Sequence, residues 1–346
     1  MTCAVPGDGM LIPKLHGLGV PTHSLSLAPL ASGRKKLLDF LRFGLDAPRL
    51  AAQISSLAAE ARADLLYVNG PRVLPAAAWA ARKSGRPLVF HCHSHLGDAS
   101  TRKLAGHSLQ LAGARVIACC RYVARPLWPF IDPGRLHLIY NGVAQMAPTV
   151  PANSGKPRIG VLGRIAPENG QMEFVAAARL LAEKGRTWQF VVCGAPLFSN
   201  PEAERYSERV QEKAAGLPVA FLGWRNDVPS VLAELDLLVV PSASRTATPR
   251  VILEAFAARV PVVAFASGGI PEIVIQNRTG FLIEPPEPQA LAAKLEALLQ
   301  APDQLRGIAG RAYETWKEKF TLERYQREVL AVIGLTQTLS ATGRSI

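Results

Sequence analysis

The stretch RTATPRVILEAFAARVPVVAFASGGIPEIV, Arg245 to Val274, decides the fold. An apolar helix-like run carries on to Ala258, a valine-rich strand pattern, PVVAFA, follows almost at once, and a Gly-Gly turn closes it. Short buried strands alternating with amphipathic helices are the rhythm of a parallel sheet covered on both faces. One carboxylate, Glu254, stands in the helical run among Val251, Ile252, Leu253 and Phe256. A charge in such company needs partners. Two hydroxyls of a ribose would serve, because a carboxylate accepts two hydrogen bonds at once; so would backbone amides, or Arg250 one turn away.

The same rhythm runs through most of the 346 residues. Strand patterns are ADLLYVNG, PLVFHCHS, ARVIACC and LHLIYNG in the first half, then RIGVLGRI, WQFVVCGAP, VAFLGW, LLVVPS, PVVAFA and TGFLIEP in the second. Helical patterns such as ENGQMEFVAAARLLAEKG separate them. The fold expected is α/β, with two Rossmann-like doubly wound domains facing across a cleft. The first domain spans 1–148, a Pro-rich linker 149–157, the second domain with its C-terminal helices 158–335, and a tail 336–346. Nearly half the residues are hydrophobic and 19% are charged, which excludes long disorder.

The net charge of +12 favours an anionic partner, whether nucleic acid, an acidic membrane surface or a phosphorylated small molecule. The five cysteines lack CxxC spacing and read as free thiols in a reducing cytoplasm. The opening MTCAVPGDGM has no signal-peptide pattern, and no apolar run reaches membrane-spanning length.

Ligands of doubly wound sheets lie at the carboxyl ends of the strands, so the residues there are the site candidates. GVLGRIAPENG places Gly163 and Arg164 at a strand end and Glu168 to Gly170 at the next helix opening. A guanidinium beside helix amides suits a pyrophosphate; a surface arginine at a tight turn is the plain alternative. Pro249 opens the helix that carries Glu254, and Gly268 and Gly269 allow backbone approach to a ligand. In VFHCHSHLGD, His91, His93 and His95 end a strand, with Asp98 nearby. This spacing resembles a metal site, but hydrogen bonding to a polar substrate suits a strand-end histidine better.

In their order and spacing these stretches resemble GT-B glycosyltransferases of the family 4 type, from Ala63 to Pro285 and more weakly to about Ile333. The resemblance implies retaining transfer of a sugar from a nucleotide-diphosphate sugar to the hydroxyl of a sugar or lipid-linked acceptor, in polysaccharide or glycolipid synthesis. It implies no cofactor and no metal, and no DxD triplet is present. Arg164 would hold the pyrophosphate and neutralise the leaving group, and His93 would touch the transferred sugar. Glu254 would hold the ribose, in a donor pocket shaped by Gly163, Asn169, Thr246, Pro249, Arg250, Gly268 and Gly269. The segment Gly223 to Val228 would border the base.

The sequence departs from the family in four places. Thr246 stands where the family has a sugar-binding acid, eight residues before Glu254, and Asn169 where it has a lysine that assists Arg164. Arg259 takes the place of a common glycine. The family's first βα unit has no counterpart before CAVPGDGMLIPKLHG, which implies a true start upstream or an impaired first domain. These departures imply slow turnover, or an inactive homologue that still binds nucleotide. SGRKKLLDFLRFGLDAPRL, with Lys35, Lys36 and Arg42 beside Leu37, Leu38, Phe40, Leu41 and Phe43, fits the surface of an anionic membrane or an ordinary helix with a solvated face. Nucleic acid is not expected as a partner, since no basic run interleaves with stacking aromatics.

Overall fold

The computed structural model describes residues 1–6, 11–27, 37–146, 155–197, 201–242 and 246–334, with side chains from Asp46 onward in the second helix. The expected linker and tail fall largely or wholly outside these residues, as do the side chains of the basic amphipathic segment up to Leu45. The chain divides into two compact units. Unit 1 takes in Met1–Ala118, Val123–Leu138 and the chain from Ala331 onward; unit 2 takes in Cys119–Tyr122 and Ile139–Leu330. The main crossing therefore comes at residue 138, ahead of the Pro-rich segment, and four residues of the first half belong to unit 2.

Unit 1 runs β1 (Cys3–Pro6), α1 (Leu11–Gly17), β2 (Thr22–Leu25), α2 (Leu37–Glu60), β3 (Leu66–Asn69), α3 (Leu74–Ser84), β4 (Leu88–Cys92), α4 (Ala99–Ala112) and β5 (Arg115–Ala118). The short α5 (Arg121–Ala124), a 3-10 stretch (Arg125–Phe130) and β6 (Leu136–Leu138) follow. β3 to β6 form a parallel sheet in sequential order, and all five residues of β4 are buried, as a strand covered on both faces requires. α3 and α4 end on Gly85 and Gly113, both left-handed, which lets the last turn close on its own carbonyls. The opening segment, left without a family counterpart by the sequence, makes a parallel βαβ unit of its own. Among the described residues β1 and β2 pair only with each other, and β3 pairs only with β4. Leu25 of β2 packs with Leu50 and Ala51 of α2 and Ala76 of α3.

Unit 2 runs β7 (Arg158–Leu162), α6 (Gln171–Glu183), β8 (Gln189–Cys193), α7 (Pro201–Ala214), β9 (Val219–Gly223), α8 (Val228–Ala233) and β10 (Leu237–Val240). It continues with α9 (Arg250–Ala257), β11 (Val262–Phe265), β12 (Phe281–Ile283), α10 (Pro288–Leu299), α11 (Pro302–Lys319) and α12 (Leu322–Ile333). The six strands are parallel in the order β12-β11-β10-β7-β8-β9, so the winding direction reverses between β7 and β10. Alternation fixes both faces: β10 sends Leu237 and Val239 into one core and Leu238 and Val240 into the other. Phe174, Leu181, Leu291 and Leu295 cover the first face, and Ile252, Phe256, Ala312 and Trp316 belong to the second.

Two local turns bear on the site. The helix expected from Glu168 begins instead at Gln171, after a separate 3-10 turn at Pro167–Asn169. Gly170 takes φ 74° between them, and a Cβ there would lie 1.9 Å from the Pro241 carbonyl oxygen. The Gly-Gly turn leads into one 3-10 turn, Ile270–Glu272. Glu272 then accepts the backbone N–H groups of Arg121 and Tyr122 and the Tyr140 hydroxyl, each at 2.8 Å.

Candidate functional site

In an open doubly wound sheet the ligand crevice opens where the strand order reverses, at the carboxyl ends of the two central strands. Here those ends are Gly163 after β7 and Pro241 and Ser242 after β10. A cavity of about 200 Å³ lies there, lined by Gly163, Asn169, Gln171, Pro241, Ser242, Pro249 and Arg250 among others. Its walls depend on close backbone approach. Gly163 has φ 143° and donates to the Cys193 carbonyl at 2.9 Å, while a Cβ on Gly194 would lie 1.8 Å from the Gly163 oxygen. Gly194 in turn donates to the Gly223 carbonyl at 2.8 Å, so the ends of β7, β8 and β9 are laced together. Gly223 is left-handed at φ 65°, and α8 starts five residues later at Val228.

Arg164 follows Gly163 in sequence. Its carbonyl oxygen accepts two carboxamides, Asn169 Nδ2 at 2.7 Å and Gln171 Nε2 at 2.8 Å, and its guanidinium pairs with Glu168. The side chain of Asn169 is thus engaged with backbone and does not replace the lysine charge that the family resemblance expects there. Gln171 is almost fully buried, and its other end accepts the Ala166 N–H at 3.4 Å. Sequence reasoning missed Gln171; the available signal was a second carboxamide two residues after Asn169.

Glu254 lies one turn into α9, whose opening residues Pro249, Arg250 and Val251 line the cavity. Its side chain is only 18% exposed, and burial pushes its carboxyl above the ordinary value, opposed by Arg250. The guanidinium of Arg250 stands 3.8 Å away and is itself largely solvated, a weak partner. The loop before α9 meets the Gly-Gly turn through backbone. The Thr246 carbonyl accepts the Gly269 N–H at 3.0 Å, and a Cβ on Gly268, at φ 56°, would fall 1.9 Å from the same oxygen. Thr246 contributes its carbonyl to this contact.

The strand-end histidines sit in unit 1 and form a separate group. The rings of His91 and His93 stack at 3.9 Å, as two side chains on one strand face would, and the Tyr67 hydroxyl bonds His91 Nδ1. Burial, and then the neighbouring His93, lowers the His91 pKa to about 3; burial also lowers that of His93. Both are neutral at physiological pH and act as hydrogen-bonding groups. Among the described residues no group of three His, Cys, Asp or Glu side chains is placed to hold a metal ion. Among the same residues no helix is long and apolar enough to cross a membrane.

Two family models match adjoining parts of the chain, Glycosyltransferase Family 4 over residues 19–144 and Glycosyl transferases group 1 over residues 145–315. The chain belongs to the group 1 glycosyltransferases. Among curated glycosyltransferases it is similar to the alpha-maltose-1-phosphate synthase of Mycolicibacterium smegmatis, 32% identical over 59% of this chain and 58% of that one. It is 28% identical to an Escherichia coli UDP-Gal:alpha-D-GlcNAc-diphosphoundecaprenol alpha-1,3-galactosyltransferase, again over 59% and 58%. The chain thus spans under two thirds of the length of these relatives. The solved structure of HepE from Anabaena in complex with UDP-glucose superposes with a TM-score of 0.79 at 24% identity, over 96% of this chain and 92% of that one. That likeness establishes the GT-B fold, two Rossmann-like domains, for this glycosyltransferase.

Proposed function

We propose that this glycosyltransferase moves a sugar, with retention of anomeric configuration, from a nucleotide-diphosphate sugar to an acceptor hydroxyl in glycan synthesis. The observation that carries this reading is the position of the cavity, at the switch point between β7 and β10, where the lining residue Gly163 is followed in sequence by Arg164 and the lining residues Pro249, Arg250 and Val251 open the helix that carries Glu254. The Glu254 carboxylate, buried and with Arg250 at 3.8 Å as its one ion-pair partner among the described residues, gains two ribose hydroxyls as donors when nucleotide binds. As the bond from the anomeric carbon to the diphosphate oxygen breaks, negative charge grows on the diphosphate. Arg164, released from Glu168, stabilises it. The loop held by Gly268, Gly269 and the Thr246 carbonyl closes the sugar side, Gly223 to Val228 borders the base, and neutral His93 serves the transferred sugar by hydrogen bonding. The acceptor is a sugar or a lipid-linked sugar. No metal takes part, so transfer rates measured after EDTA treatment are expected to match those before it.

Thermal unfolding with UDP, GDP, ADP and TDP tests the donor site. A ligand at 100 times its dissociation constant stabilises the native state by about 2.7 kcal/mol. A shift with one nucleotide, absent in Glu254→Ala, is expected; no shift with any of them sinks the reading. A second reading, nucleotide binding with little or no turnover, is favoured by one observation: Asn169 spends its amide on the Arg164 carbonyl and leaves Arg164 without a companion cation at that position. Single-turnover transfer from the nucleotide sugar that binds separates the two readings.

A further inference from the structure

Unit 1 carries a basic and apolar face that includes none of the residues assigned above to the donor site. Between Asp64 and Asp132 the sequence holds one acid, Asp98, against nine lysines and arginines. Asp98 is occupied at the start of α4, where it accepts the Thr101 N–H at 2.8 Å. Because β3, β4 and β5 are neighbours in sequence order, their right-handed crossovers put α3 and α4 on the same side of the sheet. The two helices pack together, and the 3-10 stretch Arg125–Phe130 packs against α4, with Gly106 directly under the Phe130 ring.

The outward residues of these elements share one character. α3 exposes Trp79, Arg82 and Lys83, spaced to lie on one helix face. α4 exposes Lys103, Leu104, His107 and Leu111, again one stripe, and the 3-10 stretch adds Arg125 and Trp128. Trp79 is 47% exposed and Trp128 and Leu111 are each 51% exposed. Arg82, Lys83, Lys103 and Arg125 have no carboxylate partner among the described residues. Large apolar groups left in water among unpaired cations mark a surface that something covers.

We propose that this face docks on an anionic lipid bilayer, with the cations at the headgroup phosphates and the two tryptophans and the leucines at the headgroup–acyl boundary. Tryptophan suits that boundary because its ring is apolar and its N–H is wet. A bilayer accommodates both halves of the pattern at once, cation and aliphatic, over helices lying side by side. Single-stranded nucleic acid would leave Leu104 and Leu111 with nothing to stack on.

The test is flotation of the full chain with vesicles of phosphatidylcholine alone or mixed equally with phosphatidylglycerol. Binding is expected to the mixed vesicles only, and to fall as salt rises. Each cation neutralised at an anionic surface weakens binding about fivefold, so Arg82→Gln, Lys103→Gln and Arg125→Gln together are expected to weaken it about 100-fold. Trp79→Ser with Trp128→Ser is expected to weaken it about tenfold and leave the salt dependence intact. Arg209→Gln, Lys213→Gln and Arg278→Gln, equally exposed on unit 2, are expected to change nothing. Unchanged unfolding temperatures would show that the variants fold. Absence of flotation at low salt, equal loss with the unit 2 variants, or tryptophan variants that bind like the parent would each overturn the proposal; the last result would point to a soluble polyanion.

Discussion

Replacing Glu254 by glutamine separates what this carboxylate does for the fold from what it does for a ligand. In the ligand-free protein the one ion-pair partner of its charge among the described residues is Arg250, at 3.8 Å and 64% exposed, and burial outweighs that partner, because the carboxyl is pushed above its ordinary value. An acid whose folded value is raised makes the folded state bind more protons than the unfolded one. Stability therefore falls as pH rises from the ordinary value of 4.5 through the raised one, and the charged form is a net burden above it. Glu254→Gln removes that burden, so the ligand-free variant is expected to unfold no earlier than the parent at neutral pH, with a flatter dependence on pH across that window. Nucleotide binding should move the other way. A hydrogen bond to a charged acceptor contributes about 1 kcal/mol more than one to a neutral acceptor, so two ribose hydroxyls lose about 2 kcal/mol. That corresponds to roughly a 30-fold weaker dissociation constant. Calorimetry with the nucleoside diphosphate chosen by the thermal panel measures the second effect, and unfolding scans from acid to neutral pH measure the first. An unchanged dissociation constant, or a ligand-free variant that unfolds several degrees early, would refute the assignment and make Glu254 a structural residue.

Other positions give independent checks. Gly170→Ala puts a Cβ against the Pro241 carbonyl at a left-handed φ of 74°, so thermal unfolding should report a loss of about 2–4 kcal/mol. Asn169→Lys gives up one of the two amide bonds on the Arg164 carbonyl, which Gln171 continues to hold. It restores a cation beside the cavity, and a tighter Kd for the nucleoside diphosphate with an unchanged Kd for the bare nucleoside is the expected outcome. Both oxygens of Glu272 are acceptors, so Glu272→Gln must turn an amide donor toward an N–H or a hydroxyl. A loss of about 1–3 kcal/mol in unfolding free energy is expected.

The parts of this molecule that could be read from sequence are those whose physics is local. β10 and β11 are apolar at every position because both faces are covered, and four consecutive buried residues leave a mark that needs no partner to interpret. The places of Gly163 and Arg164 just after a strand and of Glu254 inside a helix were legible for a related reason: strand ends and helix interiors are what sequence periodicity fixes. The rest depends on which backbones meet. Gly268 reads as a glycine that admits a ligand and Gly170 as part of a helix opening, yet each is required because the carbonyl of a residue over twenty positions away, Thr246 or Pro241, occupies the place of its side chain. Glu272 stands in a short turn with no sequence signal of its role, and its partners Arg121 and Tyr122 lie about 150 residues earlier. Asn169 is the instructive case. Its place in the family pattern predicts a position facing the diphosphate, whereas its short carboxamide folds back on the carbonyl of Arg164, five residues before it. The substitution that removes a charge from the site also supplies a second clasp on the residue that carries the remaining charge. A lysine ammonium that donated to the Arg164 carbonyl would be drawn back on its own loop, and one that faced the diphosphate would leave that carbonyl to Gln171, so the charge at the cavity and the clasp are alternatives at position 169.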